Sequence, residues 1–535
     1  MPSHQPSSMP SPPAFCGSSR GAGLTAALGA LALWAGFAND AVSLPPLVLL
    51  HPLCLALLGA AAPDRNVALR RGWLCAWAGH IASLYWLAVP VHNVGGLPWP
   101  LAVPCALFVA ACLSAAGGLF ALAAFHLRRR PAWLFISGLA ATWYTLEWVF
   151  AVVAGFPWLP LAGALTAWPI LTQAADTVGS TMTGTLWTAA ILGAGWPSVG
   201  LRRRCTALAI VLPLLAYGSW RLCASPADAA PVGPDTLPVL FVEGNIDQNL
   251  KWTPAFQRRT TEIYLTLTRG GLAERPEEKP LIIWPETALP YDFSRFSLYA
   301  DAVRGLAAAS ETPLLTGVPG FEGAGETQRV YNRALLIGPD GNPLGSYDKE
   351  HLVPFGEYVP SWLDWECLAP LLQEIGTYTP GKTTAPLRAG DLALGMLICY
   401  EGVFPWLAQE RVAQGANILV DISNDGWFGA TPAPRQHLSL TALRAIEQRR
   451  WILRGTNTGI SAVIDHRGRP VVRGGQFRQQ WIWGRARLME GFSLYHHLAP
   501  FIPPLGIFFC LAALVAPARR FTSNKTPRRH HVAIE

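Results

Sequence analysis

The run Leu392-Ala393-Leu394-Gly395-Met396-Leu397-Ile398-Cys399-Tyr400-Glu401 carries no charge until its end, where a thiol, a phenol and a carboxylate follow in succession. Side chains of a strand alternate between two faces, so a strand apolar on both faces belongs in a sheet covered on both sides. Five further short stretches read as strands: Leu237 to Val242, Leu281 to Trp284, Pro313 to Gly317, Arg333 to Ile337 and Asn417 to Ile422. Between them Pro254 to Arg269, Phe296 to Ala308, Pro405 to Gln414 and Gln436 to Arg450 have the period of helices. This alternation predicts an α/β layered domain with a largely buried sheet over residues 225–497, long enough to hold its own core.

The rest of the 535-residue chain is different in kind. Overall 51% of residues are hydrophobic and only 14% charged, where ordinary soluble domains carry about 25% charge. Apolar stretches near 21–37, 47–62, 72–89, 101–125, 134–153, 181–195, 207–222 and 498–515 predict eight membrane spans, seven before the layered domain and one after it. The expected division is a disordered cytoplasmic lead at 1–20, a seven-span domain at 21–224, the α/β domain at 225–497, an eighth span at 498–517 and a basic tail at 518–535. Arg65, Arg70 and Arg71, then Arg128 to Arg130, then Arg202 to Arg204 fall on alternate connections, and the intervening loops lack Lys and Arg. The positive-inside rule puts these clusters, both termini and the tail (Arg519, Arg520, Lys525, Arg528, Arg529) in the cytoplasm, with the α/β domain on the outer face. A net charge of +7 is small for a nucleic-acid binder of this length, and the 10 cysteines are scattered without CxxC spacing, which excludes a zinc ribbon or a disulfide scaffold. Without an HExxH or other clustered ligand spacing, or a Gly-rich phosphate loop, neither a metal nor a soluble cofactor is expected.

Three polar residues stand where strands run out: Glu286 in Trp284-Pro285-Glu286-Thr287, Lys349 in Tyr347-Asp348-Lys349-Glu350-His351, and Cys399. Open α/β sheets hold ligands beyond the carboxyl ends of their strands. Alone, each has an ordinary explanation: a core thiol, a solvated turn lysine, a surface carboxylate. Together they suit acyl chemistry, with a thiol nucleophile, a carboxylate to take its proton and an ammonium to stabilise a developing oxyanion.

These segments, with Pro354-Phe355-Gly356-Glu357-Tyr358-Val359-Pro360, Gly244-Asn245-Ile246-Asp247-Gln248, Ser423-Asn424-Asp425-Gly426-Trp427 and Arg454-Gly455-Thr456-Asn457, resemble the nitrilase, or carbon-nitrogen hydrolase, superfamily. Within an eight-span frame they resemble its membrane branch, the apolipoprotein N-acyltransferases. The resemblance implies a nitrilase-like αββα sandwich and the triad Glu286, Lys349 and Cys399. It implies a two-step transfer: Cys399 takes an acyl chain from a phospholipid, typically phosphatidylethanolamine, and the thioester then acylates the α-amine of a diacylglyceryl-cysteine lipoprotein. It further implies a multi-pass protein of the Gram-negative inner membrane with a periplasmic catalytic domain, acting as a monomer. Glu357, Tyr400 and Glu401 match supporting positions, with Glu357 expected to orient Lys349 or Glu286. Trp252, Trp427, Asn424 and Asn457 are substrate-pocket candidates, with a core Trp or a turn-capping Asn as the plainer reading. Residues 354–378, with Phe355, Trp362, Trp365, Leu368, Leu371 and Leu372, are read as an arm that closes over the site at the lipid interface. His351 and His437 are set aside as bases, because Glu286 matches the family's base. Glu147, an acid inside an apolar run, is either functional or bonded to a neighbouring helix. Two other readings stay open: a membrane-tethered amidase or nitrilase using the same triad, and a transporter or receptor whose outer domain binds without chemistry.

Overall fold

The computed structural model describes residues 14–196, 201–223, 236–294, 297–360 and 377–516. Helices occupy all eight apolar stretches. Arg65–Asn93, Trp99–Leu127 and Ala132–Val153 are each long and apolar enough to cross a membrane, while Pro45–Ala60, Ala207–Cys223 and Ile502–Val515 are shorter apolar helices. The first helix begins at Ser19 rather than Gly21, because the Ser18 side chain accepts the Gly21 N–H and caps it. A helical turn at Ala14–Gly17 precedes it, so this part of the predicted lead is ordered. The remainder of the lead and the basic tail lie outside the described residues. Arg128 donates to the carbonyls of Ala60 and Ala62, which brings two of the Arg-bearing connections to one end of the bundle.

The α/β part is built from two six-stranded sheets. We number its strands β1 (Leu237–Glu243), β2 (Leu281–Ile283), β3 (Leu314–Glu322), β4 (Arg329–Ile337), β5 (Pro343–Asp348), β6 (Leu387–Ala389), β7 (Leu392–Ile398), β8 (Ile418–Ser423), β9 (Ile452–Thr456), β10 (Ala462–Ile464), β11 (Pro470–Arg473) and β12 (Gln480–Ala486). One sheet runs β12-β1-β2-β3-β4-β5 and the other β11-β10-β9-β8-β7-β6. Each has a parallel centre, β1-β2-β3 in one and β7-β8-β9 in the other, flanked by antiparallel strands.

Alternation explains the all-apolar strands. Val239, Phe241, Leu281 and Ile283 of the first sheet meet Leu394, Met396, Ile398, Val420 and Leu453 of the second in one shared core. Leu240, Val242, Ile282 and Trp284 turn outward under the helices Pro254–Glu274 and Ser297–Ser310. Leu397, Leu419 and Ile452 turn outward under the helices Pro405–Ala413 and Ala433–Gln448. Burying each such side chain is worth about 1.5–3 kcal/mol, so both faces of both sheets favour this stacking.

The membrane-side helices join that second outer layer. Trp86, at the far end of the helix that Arg65 opens, and Trp158 both donate to Gln436 Oε1, at 3.1 and 2.9 Å. Gln436 Nε2 donates to the carbonyls of Ala38 and Ser83. Glu147 accepts from Trp143 Nε1 at 2.9 Å and from the Leu161 N–H at 3.2 Å, so it ties two membrane-side segments together.

Candidate active site

Glu286, Lys349 and Cys399 follow the carboxyl ends of β2, β5 and β7, and the stacking of the sheets brings them into one buried cluster. Glu286 lies in a turn that approaches β3 so closely that a Cβ on Gly317 would sit 2.7 Å from the Glu286 Cα. Cys399 opens a tight turn with φ of +56°, a left-handed conformation that costs a non-glycine residue about 1 kcal/mol or more. Glu401 holds the turn. Its carboxylate accepts the N–H groups of Ile398, Glu350 and His351 at 2.7–2.9 Å and the Tyr347 hydroxyl at 2.8 Å. This ties the end of β7 to the end of β5, and so fixes Cys399 relative to Lys349.

The ammonium of Lys349 sits between two carboxylates. Nζ is 2.9 Å from both oxygens of Glu357 and 3.7 Å from Glu286 Oε1. Burial alone would discharge this lysine, but Glu357 and then Glu286 outweigh it and hold its pKa above the ordinary value. Asn332, opposite Lys349 across the β4-β5 pair, bridges the carboxylates by donating to Glu286 at 2.7 Å and to Glu357 at 2.9 Å. The second oxygen of Glu286, Oε2, is buried and has no hydrogen-bond partner among the described residues. The Cys399 thiol is raised well above its usual pKa by burial and then by Glu286, with Lys349 opposing. It rests as a thiol, so attack requires a base that removes its proton as the bond forms.

The other candidates divide. Tyr400 is buried and donates its hydroxyl to the Gly155 carbonyl, so it links the Cys399 turn to the membrane-side chain. Trp427 faces the Glu357 turn, where a Cβ added to Gly356 would stand 3.4 Å from its ring. Asn457 spends both ends of its amide on the Ile246 backbone, at 2.9 and 2.8 Å, and also donates to Asn424 Oδ1 at 3.3 Å, which is the geometry of a clamp on the loop after β1. Trp252 is half exposed, while its neighbour Lys251 is buried with Nζ 3.4 Å from the Glu286 carbonyl oxygen. His351 packs against the rings of Phe404 and Tyr400, and burial, then the neighbouring Lys349, lowers its pKa. His437 meets Cys399 at its carbonyl oxygen. Of the proposed arm, Phe355 is exposed, and Tyr378 donates its N–H to the Glu357 carbonyl. Trp362, Trp365, Leu368, Leu371 and Leu372 lie outside the described residues.

The sequence reading missed Asn332, Lys251 and Gln436 as site or docking residues. Asn332 sits one position before the stretch read as a strand, and nothing in Val330-Tyr331-Asn332-Arg333 announces that it will face two carboxylates.

This cluster at the strand ends of paired α/β sheets is the setting of a carbon-nitrogen hydrolase, and residues 267–485 match the family model of that description. Residues 29–194 match the apolipoprotein N-acyltransferase N-terminal domain. The chain is 35% identical over 488 residues to the apolipoprotein N-acyltransferase of Geobacter metallireducens, covering 88% of this chain and 91% of that one. To the enzyme of the same name from Caulobacter vibrioides it is 36% identical over 463 residues, covering 83% and 85%. Among solved structures, Saccharomyces cerevisiae Nit3 aligns at 19% identity with a TM-score of 0.37, covering 54% of this chain and 97% of that one. The chain belongs to the apolipoprotein N-acyltransferase family, as a multi-pass membrane acyltransferase with a nitrilase-like domain.

Proposed function

We propose that this protein moves a fatty acyl chain from a membrane phospholipid, with phosphatidylethanolamine the expected donor, through a Cys399 thioester to the N-terminal α-amine of a diacylglyceryl-cysteine lipoprotein. The observation that carries the reading is the buried Glu286 oxygen, with no hydrogen-bond partner among the described residues, in the same cluster as the Cys399 thiol and the Lys349 ammonium. Glu286 takes the Cys399 proton as Sγ attacks the ester carbonyl. Lys349 and the Tyr400 N–H hold the oxyanion. The ester C–O bond breaks, Glu286 returns the proton to the leaving oxygen, and a lysophospholipid departs. In the second half the α-amine attacks the thioester, Glu286 accepts a proton from it and passes that proton to Sγ as the C–S bond breaks, which restores the thiol and the carboxylate. Glu357 and Asn332 keep Lys349 charged and Glu286 oriented.

Gln436 docks on Ser83 and Trp86, at the end of the helix Arg65–Asn93 remote from Arg65, which supports a catalytic domain on the periplasmic side of the inner membrane; the chain is read as a monomer. Trp252 and Trp427 are offered as walls of the substrate pocket. The test is intact-protein mass spectrometry after incubation with phosphatidylethanolamine, comparing wild type with Cys399→Ser, followed by addition of a diacylglyceryl peptide. A hydroxylamine-sensitive acyl increment on wild type that moves to the peptide amine is expected. A folded, lipid-exposed protein that gains no increment sinks the proposed donor.

A further inference from the structure

A second buried cluster reaches Cys399 through its backbone. Arg454, in the middle of β9, bonds Asp421 of β8 through Nη1 and stands 3.0 Å from both oxygens of Asp425 through Nη2. The same Nη2 lies 3.0 Å from His437 Nδ1, and His437 Nε2 lies 3.1 Å from the Cys399 carbonyl oxygen. All four side chains are 1% exposed or less.

Hydrogen-bond chemistry selects the tautomer. A guanidinium has only donors, so the ring nitrogen facing it must accept. The hydrogen of His437 therefore sits on Nε2 and is donated to the Cys399 carbonyl. A proton on Nδ1, aimed at Asp425 Oδ1 at 3.2 Å, would meet the Arg454 Nη2 hydrogens, and with Nδ1 alone protonated Nε2 would present a lone pair to a carbonyl oxygen.

That carbonyl belongs to the peptide joining Cys399 to Tyr400, whose N–H is the backbone oxyanion donor in the reading above. The two ends of a peptide are coupled by resonance, and hydrogen bonds in a chain polarise one another, so a donor on the C=O strengthens the N–H at the other end. We infer that His437 is a positioning residue for acyl transfer: backed by the Arg454–Asp421–Asp425 cluster, it polarises and orients the Cys399–Tyr400 peptide so that its N–H serves the oxyanion. This inference rests on the acyl-transfer reading and adds a specific device to it.

The experiment compares two reactions of one sulfur in the full-length protein in phosphatidylethanolamine nanodiscs. Acylation passes through a tetrahedral oxyanion, whereas alkylation by iodoacetamide does not. His437→Gln keeps an amide N–H where Nε2 stood, His437→Asn reaches only the Nδ1 position, and His437→Met has no donor. Losing an oxyanion donor outright costs about 10²- to 10³-fold, so losing its polarisation is expected to slow single-turnover acylation by about 10- to 100-fold in Asn and Met. Gln is expected to stay within about fivefold, and alkylation within about threefold in all three. Met keeps the test open if Asn does not fold. The inference is overturned if acylation and alkylation fall together, or if Asn and Met acylate as fast as Gln. If wild type itself forms no acyl adduct, the acyl-transfer reading fails first. A wild-type adduct with unchanged variants overturns this inference alone.

Discussion

Glu357→Gln is the sharpest perturbation of the cluster, because it removes a charge and changes almost no volume. In the native site one ammonium is shared by two carboxylates, with both Glu357 oxygens at 2.9 Å from Nζ and Glu286 Oε1 at 3.7 Å. Unit charges about 4 Å apart interact by about 4 kcal/mol at an effective dielectric of about 20. Breaking a buried pair costs about 3–5 kcal/mol when the remaining charge is left alone. Lys349 is not left alone, since Glu286 can close on it, so a loss of about 2–3 kcal/mol in unfolding free energy is expected. The closure damages catalysis in two ways. It draws the ammonium off the oxyanion position, and it neutralises the carboxylate that must accept the thiol proton. If the same 2–3 kcal/mol is lost from the transition state, turnover falls about 30- to 150-fold, with little change in the KM for the donor lipid. The assay is acyl transfer to a diacylglyceryl peptide in mixed micelles, read by mass spectrometry beside thermal unfolding of the same preparation. Wild-type turnover in a Glu357→Gln protein that melts like wild type would refute the reasoning. So would a rate loss fully explained by the unfolded fraction.

Two other substitutions test the docking and the electrostatics of the site. Gln436→Leu removes the acceptor for two buried indole N–H groups and the donor to two carbonyls. At about 1–3 kcal/mol per orphaned buried group, with partial relaxation, a loss of about 3 kcal/mol is expected, seen as a lower and broader melting transition. An unchanged melt would show that the two parts do not depend on this clamp. Lys251 is held down to about 8 by burial, against an ordinary value of 10.5, with Glu286 opposing. Below pH 8 both folded and unfolded forms are protonated and the burial penalty is fully felt. Between about pH 8 and 10.5 only the unfolded chain keeps the proton, so wild-type stability should rise through that window. The displacement corresponds to about 3 kcal/mol. Lys251→Met should therefore be more stable at pH 7 by up to about that amount and lack the alkaline rise; parallel pH profiles for the two proteins would contradict the assignment.

What the sequence displayed was burial, and what it concealed was pairing. β1, β2, β3, β4, β7 and β8 were legible because runs such as Leu281-Ile282-Ile283 are apolar on both faces. β5, β6 and β9 to β12 were not, because they lack a run apolar on both faces and are held by partners on other elements. Pro343-Leu344-Gly345-Ser346-Tyr347-Asp348 has no strand signature of its own, but its Asp348 meets Arg333 on β4 at 2.6 Å. β9 holds a fully buried arginine at its centre, which a reading by hydropathy rejects and which only Asp421 and Asp425 make tenable. Glu286, Lys349 and Cys399 stood out because strand ends are few and Cys, Lys and Glu at three of them form a chemical set. Asn332 did not stand out, since an amide becomes informative only when two carboxylates are already known to flank it.

The membrane-side chain touches the proposed site as well as anchoring it. Tyr400, whose N–H is assigned to the oxyanion, gives its hydroxyl to Gly155, in the chain just beyond the helix Ala132–Val153. Its ring stacks on Trp158 at 6.4 Å, and Trp158 is held by Gln436, next to the His437 that grips the Cys399 carbonyl. The Cys399 turn is thus fixed from one side by Glu401 and β5, and from the other by His437 and by the membrane-side Gly155 and Trp158. A strained left-handed Cys399 persists only where its surroundings overdetermine it, and here Gly155 and Trp158 of the membrane-side chain are among those surroundings, through Tyr400. The α/β domain cut free of its helices would keep its sheets and the Glu286–Lys349–Glu357 cluster. It would lose the contacts that hold the Tyr400 ring and the base of Gln436, so the thiol turn would be the first part of the site to relax.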